Sequence, residues 1–308
     1  MAPILISLGD PRGIGSEVTQ KAIQSLTDHP GIILFGHPDA LITPIPTYNN
    51  TIANNQVRLF PINVDTPNQQ PNDPANARIA YESIMAALLF SQRHLIQGLV
   101  TAPISKTGFL NAGIKHTDHT TLLAHFFDRP NAGMAFYSSE LNVMLSTIHI
   151  PLSQVESNLT SSVILTAIHN AIQFATNIGI TSPRIGVSGL NPHAGENGQF
   201  GTFETSVLSP IIASFKESSA TVLGPISPDI IFRQAHKKQY DIVVAMYHDQ
   251  GLIPIKLLAF DTAVNTTIGL PICRTSPDHG TAYDIAGTNQ ANPSAMRAAI
   301  DYVIRFGR

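Results

Sequence analysis

Three of the chain's 12 histidines stand where a metal ligand would be useful. Met144 to His149, Ile185 to His193 and Ile242 to His248 each run from a short apolar, strand-like stretch into a histidine. Ligands of open α/β sheets bind outside the carboxyl ends of the strands, so three such segments could aim His149, His193 and His248 at one cleft. Three imidazoles with an open fourth position suit a catalytic divalent cation. Zinc is the natural match to nitrogen ligands, and other transition metals also accept imidazole. The competing reading makes each an ordinary loop or core histidine, and the intervals between them follow no local motif that would choose.

A second set of groups suits an anion. Thr101-Ala-Pro-Ile-Ser-Lys106 places a lysine just past another strand-like stretch, and Thr117-Asp118-His119-Thr120 adds an imidazole and hydroxyls. Lys256, Asn265 and Arg274 follow the third histidine, with Arg274 among Thr275, Ser276, Asp278 and His279. Lysine and arginine bind phosphate, and asparagine adds a directed hydrogen bond; the alternative is that these are solvated surface cations. Gly9-Asp-Pro-Arg-Gly-Ile-Gly15 joins a strand-like stretch to a helical one. Its glycines allow close backbone approach, and a helix N-terminus favours an anion. Its spacing is neither the dinucleotide fingerprint nor a Walker loop, and a tight structural turn fits equally. The glycine-rich stretch 192–204 reads as a mobile loop over a site, or as a long turn.

These groups need elements to hold them. Strand-like runs at 3–8, 31–36, 99–101, 143–148, 184–190 and 241–247 alternate with helical patterns at 16–26, 155–177 and 294–306. Residues 48–76, rich in Asn, Gln and Pro, read as loop, with a short strand at 56–60. Asp73-Pro74 has the form of an N-cap followed by proline at the first helical position, and Ala77, Ala80, Ile84, Ala87 and Leu88 share one face of the helix it opens. This alternation predicts an α/β architecture with a largely parallel sheet. A domain boundary is expected between 118 and 140.

Composition narrows the function. The 308 residues carry a net charge of −3 and are 43% hydrophobic, enough for a sizeable core. The absence of a basic field argues against nucleic acid as a partner. The apolar runs, such as 84–90, are too short for a bilayer, and the first residues show no basic stretch of a signal peptide. The single cysteine, Cys273, allows no internal disulfide or multi-cysteine zinc site. The expectation is a soluble, cytoplasmic protein.

Together, residues 9–15, 101–106, Gly189-Leu-Asn-Pro-His-Ala-Gly-Glu196, Ala245-Met-Tyr-His-Asp-Gln-Gly251 and Arg274-Thr-Ser-Pro-Asp-His-Gly-Thr-Ala282 resemble, in order and over nearly the whole chain, the 4-hydroxythreonine-4-phosphate dehydrogenase family of pyridoxal-phosphate biosynthesis. The resemblance implies two α/β domains around a central cleft, similar to isocitrate and isopropylmalate dehydrogenases and unlike a standard Rossmann fold. The expected division is 1–125 with 280–308, and 126–279, the second domain carrying the metal histidines and the dimer interface. It further implies one divalent metal (Zn, Mg or Co) on His149, His193 and His248, shared across a homodimer. His119, Thr120, Lys256, Asn265 and Arg274 would bind substrate. NAD or NADP would be the coenzyme, with no residue assigned to it.

The implied reaction oxidises 4-phosphooxy-L-threonine at C3 and then decarboxylates it to 3-amino-2-oxopropyl phosphate. Asp249 and Lys106 are candidates for the general acid–base, with His279 as a further polar candidate. Two positions depart from the family pattern: Asp118 stands where glycine is common, and Thr121 where an acid is common. Substrate choice therefore stays open to D-threonate or D-erythronate 4-phosphate. A metal-dependent hydrolase and a non-catalytic phosphosugar-binding protein are the readings from other classes.

Overall fold

The computed structural model describes residues 2–116, 118–216 and 218–307, so Thr117 lies outside the described residues. In chain order the strands are β1 (Ile4–Ser7), β2 (Ile32–Gly36), β3 (Val57–Pro61), β4 (Gly98–Thr101), β5 (Gly133–Tyr137), β6 (Val143–Leu145), β7 (Arg184–Ser188), β8 (Thr221–Ile226), β9 (Ile242–Ala245), β10 (Val264–Ile268) and β11 (Arg274–Pro277). The helices are α1 (Gly15–Gln24), α2 (Pro74–Arg93), α3 (Lys106–Asn111), α4 (His119–Phe126), α5 (Val155–Asn158), α6 (Ser161–Asn177), α7 (Ser209–Ala213), α8 (Pro228–His236), α9 (His248–Ala259) and α10 (Ser294–Phe306). They form two compact α/β units, Met1–Arg129 with Leu270–Arg308, and Pro130–Gly269. The second crossing falls at 269/270 rather than near 280, which places Arg274 in the first unit. Among the described residues no helix is long and apolar enough to cross a membrane.

In the first unit the strand order is β3-β2-β1-β4-β11, and every pairing is parallel. β1 and β2 are buried along their whole length, which is why they read as unbroken apolar runs. Asp73 caps α2 as its sequence suggests: its carboxylate accepts from the Ala75 amide at 2.8 Å, with Pro74 next. Ala77, Ala80, Ile84, Ala87 and Leu88 are at most 1% exposed, so that face is the buried one. The order reverses between β1 and β4, and the loops after these two strands carry Gly9-Asp10 and Lys106. Such a switch point is where open α/β sheets hold ligands.

In the second unit the order is β10-β5-β6-β9-β7-β8. β5 runs antiparallel to both neighbours, while β6, β9, β7 and β8 are parallel. The expected helix over 155–177 is broken. Leu159 leaves helical geometry (φ −79°, ψ 59°), and Thr160 starts α6 afresh by accepting from the Val163 amide. A hydroxyl that can cap competes with the continuing helix. β6 ends at Leu145, so the segment carrying His149 is a bend rather than strand.

Candidate active site

Two groups of side chains stand out, one in each unit. In the first, Gly9 takes a positive φ of 69°, and a Cβ there would fall 2.2 Å from the Pro103 carbonyl. Only glycine lets the loop after β1 lie this close to the loop after β4. Asp10 then donates its amide to the Pro103 carbonyl at 2.9 Å. Its carboxylate accepts from the Arg12 amide at 2.9 Å and from the Tyr283 hydroxyl at 2.6 Å. Burial raises the Asp10 pKa above the ordinary carboxylate value, against the pull of those donors. The Gly13 and Ile14 amides are used on the Asp10 and Thr281 carbonyls. Much of this glycine-rich turn is therefore spent on internal bonding.

Of the anion-binding candidates, Arg274, Lys106 and His119 lie in this unit, and the charges of the first two reach the third. Arg274 opens β11, is 2% exposed, and donates from Nη2 to the Thr101 hydroxyl at 2.7 Å. Burial lowers its pKa to about 10, the charge of Asp118 working in the other direction. It thus stays cationic at neutral pH while most of its water is removed. Lys106 is the first residue of α3, whose cap is the Ser105 hydroxyl, accepting from Gly108 N at 2.8 Å. His119 is the first residue of α4. Asp118 caps that helix, accepting from the Thr121 amide at 2.9 Å, and Thr121 returns its hydroxyl to the same carboxylate at 3.0 Å.

The Nε2 of His119 is buried without a hydrogen-bond partner among the described residues. Burial, then the charges of Arg274 and Lys106, push its pKa well below the usual histidine value. The ring is therefore neutral at pH 7. Thr120 beside it is 7% exposed. A buried guanidinium, a lysine and a neutral imidazole at the start of a helix suit an anion. The His279 ring has Nδ1 3.0 Å from the Gly280 carbonyl and a buried Nε2 with no partner among the described residues.

In the second unit, three adjacent parallel strands, β6, β9 and β7, send their carboxyl ends to one edge. His149, His248 and His193 lie on the segments that follow them. The rings of His149 and His248 are 5.6 Å apart and line a cavity of about 230 Å³ with Ile148, Leu152, Val155 and Tyr247. His248 Nδ1 lies 2.7 Å from the Asp249 carboxylate. This contact orients the ring so that Nε2 is the nitrogen that could ligate. Asp249, proposed from sequence as an acid–base, is thus placed to orient His248.

His193 does not complete the set within one chain: among the described residues no three His, Cys, Asp or Glu side chains converge closely enough to hold a metal. Lys256 lies on α9 with Nζ 5.6 Å from the Phe260 ring. Asn265 is on β10, its side-chain oxygen buried without a partner among the described residues.

The His193 loop has an unusual backbone. His193, Ala194, Gly195, Glu196 and Asn197 all take left-handed helical angles, with φ between 42° and 81°. Such geometry costs roughly 1–2 kcal/mol per non-glycine residue and persists only where surroundings over-determine it. Two buried side chains supply that restraint. Glu204 Oε1 accepts from the Leu190 and Asn191 amides at 2.9 and 2.8 Å. Gln250 accepts from the Met246 amide at 2.6 Å and donates to the Gly189 carbonyl at 2.9 Å, tying the end of β7 to that of β9. Neither residue, nor Tyr283, was singled out from sequence. A lone acid, amide or phenol gives no signal until its backbone partners are in place.

Residues 16–303 match the family described as pyridoxal phosphate biosynthetic protein PdxA. The chain is 36% identical to the 4-hydroxythreonine-4-phosphate dehydrogenase of Beijerinckia indica, covering 99% of this chain and 95% of that protein. It is 38% identical to the D-threonate 4-phosphate dehydrogenase of Salmonella typhimurium, covering 98% of each. A crystal structure of 4-hydroxythreonine-4-phosphate dehydrogenase from Klebsiella pneumoniae superposes with a TM-score of 0.88 at 34% identity, covering 99% of this chain and 98% of that one. Likeness at this level over the full length, in sequence and in fold, places the chain in the PdxA family.

Proposed function

We propose that the chain is a nicotinamide-dependent dehydrogenase of a phosphorylated four-carbon hydroxy acid, acting first on 4-phosphooxy-L-threonine. The observation that carries this reading is the buried, neutral His119, whose Nε2 has no hydrogen-bond partner among the described residues and whose ring feels the charges of Arg274 and Lys106. Arg274, held by Thr101, binds the substrate anion, and its burial strengthens that contact. His119 stays neutral, so its Nε2 can donate to or accept from a substrate oxygen without a second charge. Lys106 moves the proton of the C3 hydroxyl and later returns one to carbon after carbon dioxide leaves.

The donor set of the second unit fits a divalent metal in part. His149 and His248 are paired and His248 is oriented by a carboxylate. The third ligand, His193, comes from a second copy of the chain. Ile253 and Leu257 on α9, the helix that begins with His248, and Phe260 just past its end are 67, 84 and 71% exposed. Bare side chains of this size beside a half-built ligand set suit a homodimer interface. When bound, the metal supplies a Lewis acid that stabilises negative charge developing at oxygen. The coenzyme, NAD or NADP, accepts the hydride, which no side chain can do.

A second substrate is favoured by a specific observation. Relatives of equal likeness carry the name D-threonate 4-phosphate dehydrogenase. Purified protein given either acid, each coenzyme and a divalent metal decides between them, with carbon dioxide release followed alongside. His193→Ala and His248→Ala are expected to fold but to lose metal and turnover. Full metal content and full turnover in both variants would refute the assignment.

A further inference from the structure

We propose that Glu204 is the positioning residue of His193: its buried carboxylate clamps the left-handed turn from which that imidazole is presented. The inference rests on the reading of His193 as a metal ligand. Glu204 is 1% exposed and lies eleven residues beyond His193, at the start of the helical turn Glu204–Leu208. Oε1 accepts from the Leu190 and Asn191 amides at 2.9 and 2.8 Å, and Oε2 accepts from the Asn191 side-chain amide at 3.2 Å.

These donors belong to the two residues that lead into Pro192-His193. On the far side of His193, Gly195 packs against the same carboxylate, since a Cβ there would come within 2.7 Å of Oε2. One buried group therefore holds the backbone both before and after the imidazole. Side-chain contacts of this kind are what such a run of positive φ requires. His193 itself is exposed, so its aim depends on the backbone beneath it more than on packing of its own ring.

A carboxylate suits this task better than an amide. Every partner on the clamp is an N–H donor, and the charge strengthens each bond. Glutamine would present one oxygen and one N–H₂, setting donor against donor. Glu204 touches neither substrate nor metal on this account, and it acts through His193 alone.

The test is cobalt(II) binding to the full-length protein, read by absorption and by metal content after dialysis, with hydrogen exchange of the Leu190 and Asn191 amides as the second readout. Glu204→Gln is expected to weaken cobalt about 10–100-fold, as loss of an outer-shell partner does, with helix content unchanged and both amides exchanging faster. Asn191→Ala removes a single bond of the clamp and is expected to weaken cobalt by less; it also serves if Glu204→Gln fails to fold.

Unchanged cobalt affinity in variants whose 190–191 amides have lost protection overturns the proposal. If the unaltered protein binds no cobalt, or His193→Ala binds it as tightly, the metal reading falls instead. Unchanged protection of the two amides in Glu204→Gln would then overturn the clamp on its own.

Discussion

The guanidinium of Arg274 and the hydroxyl of Thr101 meet at 2.7 Å, joining the first residue of β11 to the last of β4 across a buried contact. The bond helps to fix a buried cation. Thr101→Val removes the acceptor while keeping the shape. A hydrogen bond to a charged group is worth about 1.5–3 kcal/mol, so the KM for the phosphorylated acid should rise about 10–100-fold with a smaller change in kcat. Steady-state kinetics check this, and an unchanged KM would remove Arg274 from anion binding.

His119 should leave a mark on pH stability. Its folded pKa lies well below the ordinary value of about 6.5, so the unfolded chain takes up a proton first as pH falls. The stabilisation is complete above that value and is lost as pH drops from there toward the folded pKa. The stability difference between the unaltered chain and His119→Gln should therefore shrink on going from about pH 7.5 to about pH 5.5, by at most about 1.4 kcal/mol per pH unit. Denaturant unfolding at several pH values measures it. A difference that does not vary with pH would contradict a buried neutral ring.

The Asp118 cap separates stability from substrate choice. Asp118→Ala should cost about 1 kcal/mol and Asp118→Gly a few tenths, read from thermal unfolding. If the cap also shapes the site, the glycine variant, which removes the capping carboxylate, should shift the ratio of kcat/KM between 4-phosphooxy-L-threonine and D-threonate 4-phosphate. An unchanged ratio would make Asp118 a helix cap only.

Leu257→Asp tests the shared ligand set. Leu257 is 84% exposed on α9, so a charge there is harmless to an isolated chain and disruptive in an apolar interface. Light scattering should show a folded monomer, and that monomer should lose bound metal. A dimer with its full metal content would place the interface elsewhere.

Much of the architecture was legible because periodicity reports burial directly. β1 and β2 were foreseen within a residue or two because they are unbroken apolar runs buried along their length, and α10 because its apolar residues recur on the helical period. β11 was not. Arg274-Thr-Ser opens the strand with polar residues, yet all four of its positions are buried, and the Arg274–Thr101 bond that helps an arginine sit there joins residues far apart in the sequence. α9 was hidden by Gly251 and Pro254, residues that normally interrupt a helix. At the candidate site, sequence supplied the histidines through their places after strands. It was silent on Glu204 and Gln250, whose partners are backbone groups far along the chain.

Nicotinamide reduction is the deciding measurement. Purified protein with 4-phosphooxy-L-threonine or D-threonate 4-phosphate, a divalent metal and NAD or NADP should reduce the coenzyme, and a chelator should abolish the rate. Absence of reduction with both acids and both coenzymes, from folded and metal-loaded protein, would contradict the account.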